Sequence, residues 1–221
     1  MPQDVKGRRP YRSPRRAQQA AETRRAIVES AKRLFERDGY AVTTMDLIAQ
    51  DAGVSLKTVY LGFETKARLL RAVWDLALKG DDSDAPVAQR PWYVEILEEP
   101  DAERQVRLVA RNSCIVKRRI GPMLRVIRDA APRAPETGDL WELIQSDFYV
   151  NQRTIVEVLD RKHALASGLD VARATDILWT LNHPDLWLLL VGQRGWTPDE
   201  FEQWFVDTAI AQLLRPRKGR G

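Results

Sequence analysis

Apolar positions in this chain recur mostly at helical spacing. Within 20–37, Ile27, Ala31, Leu34 and Phe35 form an i, i+4, i+7, i+8 stripe, and Asp38-Gly39 closes it with a glycine suited to a left-handed C-cap. Leu69, Leu70, Val73, Trp74 and Ala77 give a later helix, begun by Glu64 or Thr65, its apolar face. A Gly-Asp-Asp-Ser-Asp stretch at 80–84 then interrupts the pattern. Beyond it, helices are predicted near 86–98, 101–119, 122–130, 136–165, 170–191 and 198–214. Asp101 is the expected N-cap of the second, and Gly121-Pro122 is expected to end it. Asn182-His183-Pro184 should kink the 170–191 helix, because proline lacks a backbone donor. Thr197-Pro198-Asp199-Glu200 has the form of a capping box with proline at the first helical position. No stretch alternates as a strand would, and no repeat is visible. The predicted fold class is all-α, with about nine or ten helices.

Residues 43–63, TTMDLIAQDAGVSLKTVYLGF, hold two helices too short to be stable alone. Thr43 or Thr44 supplies the first N-cap, and Met45, Ile48 and Ala49 share one inward stripe. Gly53 stands where the turn needs an unusual backbone conformation, Val54 can plug the angle between the helices, and Ser55 caps the second. If Val59 points inward, Lys57 and Leu61 point outward, flanked by Thr58 and Tyr60. This is the organisation of a helix-turn-helix over about 44–63, whose second helix is slim enough to enter a major groove.

The longer segment GYAVTTMDLIAQDAGVSLKTVYLGFETKARLL, residues 39–70, resembles the N-terminal domain of the TetR family of bacterial transcriptional regulators. Gly39-Tyr40, the threonine pair, Ile48-Ala49, Ala52-Gly53-Val54-Ser55, Thr58, Tyr60, Phe63, Lys66 and Leu69-Leu70 carry the likeness. Gly62 departs from it, since the position before Phe63 is often His, Tyr or Asn; position 62 offers no side chain. The resemblance implies that the Thr44 and Tyr60 hydroxyls and the Lys66 ammonium hold phosphates, with backbone amides at Thr44 and Ser55 assisting. Lys57 would reach a guanine edge, and Leu61 or Leu56 a thymine methyl, with Met45 near the groove and Thr43 beside it. The alternative for Thr58 and Tyr60 is that they complete packing between helices.

Charge supports an anionic partner for one part only. Residues 1–80 carry 16 Lys+Arg against 9 Asp+Glu, whereas the remainder carries 19 against 22. The stretch MPQDVKGRRPYRSPRR, with Lys6, Arg8, Arg9, Arg12, Arg15 and Arg16, reads as a disordered arm that either enters a minor groove or merely solubilises. No run of about 18 apolar residues or secretory signal appears, and a single cysteine suits a reducing compartment, so the chain is expected in the cytoplasm and off membranes. His163 and His183 lack metal-ligand spacing, and no glycine-rich phosphate loop or nucleophile signature appears. An enzyme, and with it a catalytic residue, a metal or a cofactor, is not expected.

The resemblance further implies an effector-binding and dimerising C-terminal domain. The domain plan is then a basic arm over 1–19, a three-helix helix-turn-helix DNA-binding domain over 20–82, the larger helical domain over 84–215 and a basic tail over 216–221. Ile177, Leu181 and Leu188, with Trp204, Phe205 and Ala209, lie on the most apolar helices; they form either intramolecular core or the dimer interface. A ligand cavity among the central helices would take its lining from Trp92, Arg111, Cys114, Arg118, Met123, Phe148, Asn151, Trp179 and His183, unless these are plain core and surface. Arg111, Cys114 and Arg118 share i, i+3, i+7 spacing, and a buried arginine would need a carboxylate or an anionic ligand. The expected function is a homodimeric regulator, a repressor released from a palindromic operator in double-stranded DNA by a small-molecule effector. Control by a protein partner, activation, or corepressor dependence are the alternatives.

Overall fold

The computed structural model describes residues 14–80 and 89–216. These form α1 (Pro14–Asp38), α2 (Met45–Asp51), α3 (Leu56–Phe63), α4 (Lys66–Lys79), α5 (Pro91–Glu98), α6 (Ala102–Ala130), α7 (Pro135–Arg161), α8 (Val171–Leu181), α9 (Pro184–Trp187) and α10 (Pro198–Leu213). A π-helical turn, Leu188–Gln193, follows α9. Among the described residues the only β feature is an isolated antiparallel bridge between Leu165 and Leu214. The chain is all-α.

Two compact units result, Met1–Val73 and Trp74–Gly221. The division falls inside α4 rather than at the acidic stretch near 82–84. A chain break in the sequence therefore did not mark the division: α4 runs unbroken through it, with Leu69, Leu70 and Val73 buried on one side and Trp74 and Ala77 on the other. In the first unit, α1 contributes Ile27, Ala31, Leu34 and Phe35 to a core completed by Ile48, Ala49, Val59 and Phe63. In the second, α6, α7, α8 and α10 close around Val109, Ala110, Ile155, Val156, Leu178, Phe201 and Phe205.

Local signals set most helix ends. Gly39 adopts φ +86° and its N–H reaches the Phe35 carbonyl, so α1 ends where a left-handed residue was expected. Asp101 caps α6. The capping box at α10 is complete: the Thr197 hydroxyl accepts from the Glu200 amide, and the Glu200 carboxylate accepts from the Thr197 amide. The Thr197 amide and hydroxyl hold the Glu200 carboxyl below its ordinary range. Replacing Thr197 with alanine should cost about 1 kcal/mol of stability in the second unit. Urea unfolding followed by tryptophan fluorescence measures this, with DNA affinity unchanged as the control.

Other expectations change. Residues 14–19, assigned to the arm, already form the first turns of α1; the remainder of the arm, and the tail beyond 216, lie outside the described residues. Pro122 sits within α6 instead of ending it. Gly121 is where the Trp187 indole packs, 3.3 Å from where a Cβ would stand, and Ile120, Met123 and Leu124 around it are fully buried. Packing on three sides outweighs the donor lost at an exposed proline. Asn182-His183-Pro184 breaks the helix outright: α8 stops at Leu181, and Pro184 opens α9 with His183 as its N-cap.

Candidate nucleic-acid interface and ligand cavity

The short pair of helices is built by caps and a turn. The Thr44 hydroxyl accepts from the Leu47 amide at 3.1 Å, and the Ser55 hydroxyl from the Thr58 amide at 3.1 Å. Gly53 takes φ +66°, and the Val54 amide returns to the Ala49 carbonyl at 3.0 Å. From α1, Ser30 and Arg33 donate to the Asp51 carboxylate at 2.6 and 2.7 Å, which lowers its pKa through the Ser30 hydroxyl first and Arg33 second. At the other end, the Arg24 guanidinium lies 4.2 Å over the Phe63 ring and donates to the Gly62 carbonyl. α1 thereby holds the C-terminal ends of both α2 and α3.

With Val59 fully buried, the opposite face of α3 is open. Leu61 is 76% exposed, Tyr60 is 48% exposed and Leu56 is 38% exposed, while Lys57 is also exposed. Monomeric proteins seldom leave so many large side chains on one short helix without a use. Thr44 and Ser55 are exposed beside this face. Thr58 is half-buried and its hydroxyl shares a 2.7 Å hydrogen bond with that of Ser55, so it serves the cap.

Three expected contacts are corrected. Thr43 is fully buried, and its hydroxyl donates to the Gly39 and Leu34 carbonyls. Met45 belongs to the core, its 7% exposure leaving nothing for a groove. The Lys66 ammonium, expected at a phosphate, instead donates to the Tyr40 and Thr43 carbonyls at 2.8 and 3.0 Å, above the Tyr40 ring. It brackets the α1–α2 turn.

The second unit contains a cavity of about 350 Å³. Its apolar wall includes Trp92 and Tyr93 from α5, Ile144 and Phe148 from α7, and Trp74 and Leu78 from the end of α4. Asn151 lines it too, so three of the nine lining candidates, Trp92, Phe148 and Asn151, lie on this cavity. The other six candidates are elsewhere. Arg111 is exposed; Arg118 is exposed and pairs with Asp199 at 2.9 Å, needing no buried partner. Met123 is fully buried core. Cys114 is also core, its thiol directed to the Pro198 carbonyl and pushed up to about 11 by burial, so it remains protonated. Trp179 stacks edge-on between Tyr149 and His183 outside the cavity. His183 caps α9 and pairs with Gln145 at 2.6 Å; burial lowers its pKa, with Asp185 opposing, and it is neutral near pH 7.

The cavity's polar wall was missed. Lys117 and Ser113 of α6, Asn182 after α8 and Gln152 of α7 all line it and are all buried. Lys117 donates to the Ser113 hydroxyl at 2.7 Å and to the Asn182 amide oxygen, which also accepts from Ser113; the Asn182 amide nitrogen donates to Gln152 at 3.2 Å. A signal existed: Val106, Ala110, Ser113, Lys117, Ile120 and Leu124 form one buried stripe of α6, and Lys117 is the lysine within it. Arg119, which also lines the cavity, donates to the Ala77 and Leu78 carbonyls at the C-terminal end of α4, both at 2.7 Å.

The interface candidates also resolve. Leu181, Leu188, Phe205 and Ala209 are buried within the single chain, in the core where α10 packs on α6 and α8 packs on α7 and α10. Ile177 and Trp204 remain partly exposed.

Residues 27–73 match the profile of bacterial regulatory proteins, tetR family. The HTH-type transcriptional regulator TtgR of Pseudomonas putida is 43% identical over 204 residues, 90% of this chain and 95% of that protein. In fold, the chain is similar to SmeT in a triclosan complex, with a TM-score of 0.69 at 19% identity over 89% of this chain and 93% of that one. It is likewise similar to native NalD of Pseudomonas aeruginosa, with a TM-score of 0.68 at 20% identity over 91% of this chain and all of that one. No described helix is long and apolar enough to cross a membrane. With a complete helix-turn-helix in the matched segment and a regulator's sequence shared along nearly its whole length, the chain belongs to the TetR family of bacterial regulatory proteins, DNA-binding transcriptional regulators and not enzymes.

Proposed function

We propose that this chain is a homodimeric repressor, released from a palindromic operator by a small organic ligand held in the second unit. The observation that carries this reading is the cavity: a space of about 350 Å³ with an aromatic wall and a buried polar wall is built to take a small molecule. SmeT is described as the repressor of a Stenotrophomonas maltophilia multidrug efflux pump and has been seen with triclosan; NalD is described as a secondary repressor of another such pump. These descriptions favour a repressor with an aromatic effector here. Lys57, Tyr60 and Leu61 would read base edges and phosphates, with Thr44, Ser55 and Leu56 beside them. Ile177 and Trp204 would lie on the surface that pairs two copies, setting two recognition helices about 34–36 Å apart.

α4 is the natural transmitter, since one unbroken helix begins in the first unit and supplies Trp74, Leu78 and Lys79 to the cavity wall. A ligand that binds better to the DNA-incompetent arrangement lowers DNA affinity by the same factor that DNA lowers ligand affinity. The test is fluorescence anisotropy on the protein's own upstream DNA against scrambled DNA, across a salt series, with and without triclosan as first probe. Specific binding should weaken on the order of tenfold with a saturating ligand. A ligand shown by calorimetry to fill the cavity, yet leaving operator affinity unchanged, would sink the release mechanism. Light scattering at two concentrations checks the dimer.

A further inference from the structure

Lys117 is 1% exposed, lines the cavity, and makes no ion pair among the described residues. Its partners are neutral: the Ser113 hydroxyl and the Asn182 amide oxygen, with the Phe201 ring 5.5 Å away. An ammonium taken out of water without a counter-charge is costly. Burial accordingly lowers the Lys117 pKa to about 7, with Cys114 opposing. The ionisable groups that act on it are that thiol on α6 and His183 ahead of α9, and neither is an anion near pH 7. Among the described residues the wall also includes Lys79, Arg90, Arg119 and the exposed Asp147. The cavity is apolar and aromatic on one side, and on the other holds the buried Lys117 ammonium among neutral hydrogen-bonding neighbours, with no acid paired to it among the described residues.

We propose that the ligand of this cavity is an aromatic organic acid, its rings against Trp92, Tyr93 and Phe148 and its carboxylate at the Lys117 ammonium. The proposal rests on the cavity being the effector site and adds its chemical class. The arriving carboxylate would supply the counter-charge the fold omits, making a charge-assisted hydrogen bond in a dry site. Ser113 and Asn182 hold the ammonium in place meanwhile, and Gln152 orients Asn182 in turn. A neutral molecule of the same shape would fill the aromatic wall and leave the cation unpaired. The site thus discriminates by charge more than by shape.

Proton linkage gives the proposal a second signature. The carboxylate favours the protonated amine, so acid affinity should be highest below about pH 7 and fall as pH rises, with a proton taken up on binding at pH 8.

The test uses the full-length protein with 2-naphthoate and 2-naphthamide, matched in shape and different in charge. Binding is read by quenching of tryptophan fluorescence, Trp74 and Trp92 being in the wall, and by calorimetry in two buffers of different ionisation heat. At pH 6.5 naphthoate should bind at least about tenfold tighter than naphthamide, and this ratio should shrink about 25-fold by pH 8.5 as the free amine loses its proton. In Lys117→Met the ratio should fall to one or below at every pH. Should that variant misfold, the pH dependence and proton uptake of the wild-type protein decide alone. Equal, pH-independent binding of the two probes would overturn the acid assignment and leave the cavity as a site for neutral ligands. Binding of neither probe at millimolar concentration would overturn both.

Discussion

The double substitution Lys57→Ala/Tyr60→Ala should weaken operator binding on the order of 100-fold and leave the fold untouched. Both side chains project from the open face of α3, so their removal uncovers no core; Val59 on the other face is fully buried and keeps the helix seated. The loss follows from the value of groove contacts, each good one contributing about 1–3 kcal/mol. The two substitutions should also separate by mechanism. Losing a phosphate contact lowers affinity for every DNA and reduces the salt slope, whereas losing a base contact relaxes sequence preference at one position. Anisotropy with operator and scrambled DNA, each over a salt series, reads both. An unchanged affinity in a protein whose circular dichroism matches wild type would remove α3 from the interface.

This face was legible in the sequence because everything that creates it is local. Thr44 and Ser55 cap the helices beginning one residue later, Gly53 supplies the single left-handed residue of the turn, and the offset between Val59 and its exposed neighbours is helical geometry. Thr43 shows where local reasoning stops. It is as good a cap candidate as Thr44, and only the proximity of the Leu34 and Gly39 carbonyls, folded back from α1, selects which threonine goes inside. Lys66 repeats the point, since its partners at Tyr40 and Thr43 lie more than twenty residues away in sequence.

The cavity was less legible for the same reason. Arg111, Cys114 and Arg118 do share a side of α6, but of the three only Cys114 is buried. The adjoining stripe, through Val109, Ser113 and Lys117, faces the cavity. Rotating a helix by the angle between neighbouring residues changes which charges are buried, and the helices packed on α6, chiefly α10 and α7, settle that rotation. Pro122 belongs with these cases: its local preference for a helix end is real, yet Trp187, 65 residues later, packs at the preceding glycine and holds the turn.

The buried ammonium also sets an expected pH dependence of stability, opposite in sense to that of a paired lysine. In the unfolded chain Lys117 keeps an ordinary pKa of 10.5, whereas in the folded chain it titrates at about 7. Below about pH 7 both states bind the proton, and the folded state carries the full cost of the buried charge. Between about 7 and 10.5 the unfolded state binds one proton more, so stability rises with pH, by about 1.4 kcal/mol per unit from this group alone. From pH 7, where the folded amine is already half deprotonated, to pH 9 that amounts to roughly 2 kcal/mol. His183, with its lowered pKa, has lost its proton before this window opens. Cys114, raised from 9.0 to about 11, opposes the trend only above pH 9, where the unfolded thiol ionises first. Urea unfolding is the measurement, and tryptophan fluorescence reports the right unit, because all seven tryptophans lie at or beyond Trp74. Lys117→Met, of similar length and without charge, should flatten the slope and be more stable than wild type at pH 7. A saturating aromatic acid should flatten it from the other side, stabilising the wild-type protein most at low pH. A wild-type slope no steeper than that of Lys117→Met would mean that the ammonium is already compensated, and an acid would then gain nothing by binding there.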